Sequence, residues 1–188
     1  MALVAENVRV AVTGALSVGP TTATAPTDAD STLTGFDDLG YVHEDGVTET
    51  RDRSTEQLKA WQNAAILREV VTEASMTYSF RLVETKKETV ELYYGSAVET
   101  DGSIAIVPAR TGGRKSFVLD VIDGTDFIRV YIPSGEVTEV GEQVYASGEA
   151  IGYEVTITAY PSDKIPTPDG EPASVKKWYS SLAESGGE

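Results

Sequence analysis

The chain has 188 residues, 40% of them apolar, which is enough for one domain with a sizeable core. Fifteen basic against thirty acidic side chains leave a formal charge of −15, a balance that argues against capture of nucleic acid through its phosphates. With no cysteine and one histidine, His43, disulfides, thiolate metal sites and most histidine-based catalysis are excluded.

The amino terminus has no basic run and meets Glu6 too early for a signal peptide. No apolar run approaches the ~20 residues that span a bilayer. The expectation is a soluble product made in a cytoplasm. Val4, Val8, Val10 and Val12, with Glu6 and Arg9 between them, predict a first strand over residues 4–13. Residues 14–35 mix Thr, Ala, Pro and Asp and read as a long loop or arm, too polar to offset its ordering entropy. Asp28 and Asp30 raise calcium, but the glycine, further oxygen ligands and terminal Glu of an EF-hand loop are missing. Residues 36–47 read as turn, short strand and turn, with Asp45-Gly46 a hairpin-type signal.

The polar run from Thr48 to Glu56 has two readings. It is a solvated loop, or a long β-loop reaching a neighbouring copy, with Glu49, Arg51, Asp52, Arg53 and Glu56 setting register by opposite charge. Residues 58–67 fit helix or strand, and Trp61 reads as a core or interface anchor.

Residues 68–83 carry the strongest pattern in the chain. Val70, Thr72, Ala74, Met76, Tyr78, Phe80 and Leu82 fall on one face of an extended strand. Glu69, Glu73, Ser75, Thr77, Ser79 and Arg81 fall on the other. At ~3.3 Å per residue such a strand reaches roughly 50 Å, against a usual ~17–20 Å, so its far end outruns the core of a small domain. Thr85-Lys86-Lys87-Glu88 then fits a capping box. Val90, Tyr93 and Tyr94 make an inward helical stripe, and Gly95 closes the helix.

The second half predicts short strands. Residues 104–107 end at Pro108, and residues 116–122 and 127–132 form a hairpin on Asp123-Gly124-Thr125-Asp126. That turn explains Asp120, Asp123 and Asp126 more simply than a metal does. Pro133-Ser134-Gly135 predicts a turn into a strand over 136–144. Ile151, Tyr153, Val155, Ile157 and Ala159 mark a final strand over 151–160. Prolines 161, 166, 168 and 172 break residues 161–188 into an extended arm without sheet donors, and residues 175–179 read as a terminal strand or arm laid on the domain. The Ser-Gly-Gly-Glu end is expected to fray. The fold class is mainly β, an antiparallel sandwich or barrel over residues 1–160 with one short flanking helix.

Nucleophile elbows, phosphate loops and dinucleotide fingerprints are all missing, and no cofactor is called for. Leu39-Gly40-Tyr41-Val42 through Asp45-Gly46-Val47, Lys59-Ala60-Trp61-Gln62, residues 72–80, Glu84-Thr85 and Leu92-Tyr93-Tyr94-Gly95 together resemble the tail tube (major tail) proteins of long non-contractile-tailed bacteriophages. The resemblance covers residues 36–95 well and 96–160 by strand rhythm alone. It implies a non-enzymatic virion protein, assembled in the host cytoplasm into stacked, six-membered rings. These surround a tape-measure protein, meet tail-end proteins and later conduct genomic DNA. Under it, Glu69, Glu73, Ser75, Thr77 and Ser79 are expected to line the lumen. Trp61, Tyr78, Phe80, Leu82, Val90, Tyr93 and Tyr94 are expected in the core or the docked helix. The alternatives are a virion decoration or adhesion β-domain, and a calcium-stabilised binding module.

Overall fold

The computed structural model describes residues 4–183. Its main sheet runs in the order β2-β1-β5-β6-β7-β4-β3, all neighbours antiparallel, with β10 added against β6. The strands are β1 (Thr13–Pro20), β2 (Asp37–Asp38), β3 (Val42–Lys59), β4 (Ile66–Leu82), β5 (Lys115–Asp123), β6 (Asp126–Val140), β7 (Tyr153–Ala159), β8 (Ser162–Pro166), β9 (Pro172–Ala173) and β10 (Lys176–Tyr179). One helix, α1 (Lys87–Tyr94), flanks them. The sheet folds back on itself as a sandwich. Leu16, Phe117 and Ile132 of one layer pack with Tyr78, Phe80, Leu82, Val155 and Ile157 of the other in a single buried cluster. Among the described residues the end strands β2 and β3 do not pair, so the sheet stays an open sandwich and not a closed barrel.

β6 makes this fold-over possible. It runs fifteen residues through Pro133-Ser134-Gly135, where a turn was predicted. Proline has no N–H for a ladder, so it is tolerated at a bulge. Here β6 carries the extra residue, since Lys115 pairs Gly135 but Phe117 pairs Ile132, and the buried Ser116 hydroxyl donates to the Pro133 carbonyl at 2.8 Å. A Cβ on Gly135 would lie 2.8 Å from both Ile157 and Phe117, so only glycine lets the two layers close there. Before the bend β6 lies between β5 and β10, and after it β6 pairs β7.

Several elements differ from expectation for tertiary reasons. Residues 4–13 are not a strand: a short 3₁₀ turn occupies Ala5–Asn7, and Val8, Val10 and Val12 are exposed. The first strand instead begins at Thr13, where the predicted one was to end, and runs on to Pro20 through the segment read as an arm. The rest of that segment is no free arm either. Ala25, Leu33 and Phe36 cover Val118 and Tyr131 on the outer face of β5 and β6. Arg129 locks it down, pairing with Asp120 at 2.6 Å and donating to the Ser31 carbonyl at 2.5 Å. Residues 104–107 form only an isolated bridge, Val98 to Ile104. The proline-rich segment does supply sheet donors: β8 pairs β9, and β10 joins the main sheet as the expected terminal strand. The hairpin on Gly124-Thr125 and the alternation of β7 stand as read, with Tyr153, Val155, Ile157 and Ala159 all buried. The carboxy-terminal Ser-Gly-Gly-Glu lies outside the described residues.

The helix docks one residue out of its expected phase. Lys86 takes the cap position and no side chain caps it, because the Thr85 hydroxyl is engaged by the Tyr153 hydroxyl at 3.0 Å. Thr89 and Leu92 are the buried positions, with the Thr89 hydroxyl donating to the Leu39 carbonyl at 2.9 Å. Val90 and Tyr93 pack half-buried on the core, and Tyr94 donates to Gln143 at 2.7 Å. Burial and nearby Tyr145 push the Tyr94 phenol up to about 12. Gly95 ends the helix at φ 64, as its position predicted.

Candidate functional site: a polar sheet face and a projecting hairpin

Thr48 to Glu56 is neither loop nor linker. It is the outgoing strand of a hairpin whose return strand is the long amphipathic stretch, paired from Val47↔Phe80 to Lys59↔Ile66. The Asp45-Gly46 signal marks an irregularity at the base of β3, with Gly46 at φ 69, and the reversal itself occurs at residues 60–65. The base of the hairpin belongs to the sandwich. Tyr78, Phe80 and Leu82 are buried there, and Lys177 of β10 clasps Glu49 at 2.5 Å. Burial, then the Glu49 carboxylate, push the Tyr78 phenol well above its ordinary value.

Beyond Ala74 the hairpin leaves the body. Val70, Thr72 and Ala74, expected in the core, are exposed along with both faces around them. Trp61, expected in the core or at an interface, is 97% exposed at the tip. Nothing among the described residues covers them, because the strand is longer than the layer it packs on.

Pairing decides which side chains share a face. Partners across an antiparallel ladder point the same way, and one extra residue on one strand reverses the relation. Ser54 pairs Glu73 but Thr55 pairs Val71, so Thr72 is an extra residue on β4. Glu73, Ser75, Thr77 and Ser79 therefore share one face, with Thr50, Asp52 and Ser54 opposite them. Glu69, read by simple alternation into the same row, points to the other face. Its carboxylate accepts from the Thr55 hydroxyl at 2.7 Å there. The bulge is a one-residue shift that sequence alternation cannot register.

The same register extends the polar face across the body. Thr77 pairs Thr158 and Ser79 pairs Thr156, with the Ser79 and Thr156 hydroxyls 2.6 Å apart. On β6, Glu136 and Glu139 pair Thr158 and Thr156, and Thr138 meets the Thr158 hydroxyl at 2.9 Å. The result is one continuous wall of hydroxyls and carboxylates over four strands. Sequence reading took in the β4 row alone. The alternating Glu154, Thr156 and Thr158 of β7 were the available signal for the rest. The mixed-charge run also sorts by face: Asp52 and Glu56 lie on the polar wall, while Glu49, Arg51 and Arg53 lie on the opposite side. Both arginines of the run are thereby kept off the polar wall. The wall carries Asp52, Glu56, Glu73, Glu136, Glu139 and Glu154 against Arg68 and Arg81, and no group of acidic or histidine side chains among the described residues is arranged to hold a metal.

A family model described as phage tail tube protein matches residues 1–169. The chain belongs to the phage tail tube protein family. It is therefore a structural component of a phage tail. Among solved structures, this tail tube protein is similar to the sheath/tube terminator of an extracellular contractile injection system in its extended state. The two share 11% identity over 93% of this chain and 99% of that one, with a TM-score of 0.51, a likeness of fold. The tube-terminating cap of the anti-feeding prophage aligns at 9% identity over 96% of this chain and 100% of that one, with a TM-score of 0.46. A comparison with curated proteins returned no sequence match.

Proposed function

We propose that this tail tube protein self-assembles into stacked rings, six-membered as the sequence resemblance implies, that form the conduit for genomic DNA. The carrying observation is the four-strand polar wall joined to a hairpin with nothing to pack on. A chain that leaves β3 unpaired along its outer edge has a sheet ready to continue into a neighbour, and ring closure removes such edges. Glu73, Ser75, Thr77 and Ser79, extended by Thr156 and Thr158, face the lumen in this reading. Glu69 leaves the lumen set. With six carboxylates against only Arg68 and Arg81, the wall is net acidic and repels DNA phosphates, so the duplex slides without specific binding. Arg51 and Arg53, on the opposite face, meet protein. Trp61 and the distal hairpin make the contacts between copies. Tape-measure and tail-end proteins are the further partners, and assembly takes place in the host cytoplasm.

Negative-stain microscopy of the purified protein over a concentration and salt series tests the reading. Stacked rings or hollow tubes are expected. Compact monomers at every condition would refute it. Within tubes, Thr158→Lys and Glu73→Lys are expected to make the lumen retain DNA, and an unchanged DNA affinity would place that wall elsewhere.

A further inference from the structure

Two features of the molecule are each incomplete alone. One is the hairpin tip, where Trp61 is 97% exposed and Leu58, Ile66 and Leu67 beside it are more than half exposed. The other is a hollow of about 370 Å³ where the two layers gape between β1, β5 and the base of β3. Gly14, Val42, Val47, Leu119 and Val121 line it. Leu119, Val42 and Val47 border the core from this side, so the hollow opens onto the sandwich interior. It sits between two open edges: β1 pairs β5 on one side and, on the other, β2 reaches only its Ser17 and Val18, while β3 pairs only β4 among the described residues.

We infer that the hollow receives Trp61 of a second copy. The inference rests on the self-assembly proposed above and names its contact. Trp61 cannot reach its own hollow. Twelve steps of extended β3 separate Val47 from Lys59, just before Trp61, about 40 Å at 3.3 Å per residue. The chemistry of the two surfaces matches. An indole is a large apolar body with one N–H to satisfy, and the hollow is lined in part by Val42, Val47, Leu119 and Val121 and in part by polar groups, the exposed Glu44 among them. Lys59 and Arg68 flank the tip, while Glu44 edges the hollow. Basic tip meets acidic rim. Knob and hole lie on different parts of the surface, so the contact is head-to-tail and propagates from copy to copy.

The chain has no cysteine, so single-cysteine variants report the contact directly. W61C mixed with V12C, at the lip of the hollow, is expected to give an inter-copy disulfide under diamide. W61C mixed with the remote E171C is not. In a second arm, W61A removes the knob and A11W fills the hollow in cis. Each alone is expected to raise the concentration needed for assembly roughly thirtyfold or more, as a tryptophan hot spot would. Mixed, the A11W knob still finds the W61A hollow, and growth stops at paired units. Tubes without the W61C–V12C link, or with equal linkage to E171C, would overturn this contact and leave the tube reading standing. A specific link in a protein that never forms rings or tubes would overturn the tube reading and leave the contact. Neither link nor tubes would overturn both.

Discussion

The division between a folded body and an unsupported hairpin makes a quantitative prediction. Replacing residues 54–73 with an Asn-Gly turn joins Arg53 directly to Ala74, which already pair across the ladder. Of the residues removed, Ala60 is half-buried and all others are exposed. Their hydrogen bonds run within the hairpin, as with Thr55 to Glu69 and Thr72 to the Ser54 carbonyl. A two-stranded ribbon alone is marginal in water, so it adds almost nothing to the body. The expected change in unfolding free energy is within about 1 kcal/mol, a Tm shift of no more than ~4 °C for a chain of this size. The urea slope should also hold, because little buried surface is lost. Leu92→Ala is the contrast: Leu92 is 3% exposed under α1, and its truncation costs about 2–5 kcal/mol. Thermal and urea melts of the three proteins measure this, and negative stain shows whether the shortened chain still makes tubes. It should not. A shortened chain that melts more than ~8 °C low would refute the separation. One that forms normal tubes would refute the hairpin's role between copies.

Arg129→Met should cost about 3 kcal/mol, because it strands the half-buried Asp120 carboxylate and frees the Ser31 carbonyl, and urea unfolding should show it. Stability should hold up to about pH 10 and fall toward pH 12. Burial raises the Tyr94 phenol to about 12, whereas unfolded phenols ionise near ~10, so the unfolded chain loses protons first. A Tm that stays flat through that window in alkaline melts would contradict the docking of Tyr94. Gly95→Ala should destabilise by at least about 1 kcal/mol, since it forces a side chain to φ 64 and a Cβ to 2.5 Å from the Arg110 carbonyl. Assembly should strengthen with salt. Six copies carry six times the −15 of one chain, or −90, and salt screens that repulsion beyond ~8 Å at physiological strength. Sedimentation across a salt series reads this, and assembly that weakens as salt rises would count against it.

Much of the site was visible in the residue pattern, and what was missed was missed for definable reasons. Alternation from Thr72 to Leu82 placed Tyr78, Phe80 and Leu82 correctly because it reports directly on a half-buried strand. It failed at Glu69 because a single extra residue at Thr72 exchanges the faces and leaves no trace in composition. The polar run of residues 48–56 looked like a loop because no apolar row marks it. Its strand character comes from the ladder with β4, and not from burial. Val8, Val10 and Val12 looked like a strand because valine favours extended structure, yet no ladder forms there: Val10 and Val12 donate single bonds to the Asp123 carboxylate and the Ile122 carbonyl, and the side chains stay exposed.

By itself the sequence determined the local vocabulary: an acidic chain without cysteine, mostly antiparallel strands, one short helix ended by Gly95, and a strand too long for its own core. These follow from side-chain period, turn chemistry and charge, which act over a few residues. The tertiary structure alone decided that β6 passes through Pro133 to join two layers, and that four strands merge their polar rows into one wall. It also decided that Asp52 and Glu56 of β3 join the polar wall while Arg51 and Arg53 face away from it, and that Trp61 is left in solvent. Those outcomes depend on register between segments far apart in the chain, where one residue of slip reverses a face. The overlong strand is legible in the residues; where each of its side chains points is not.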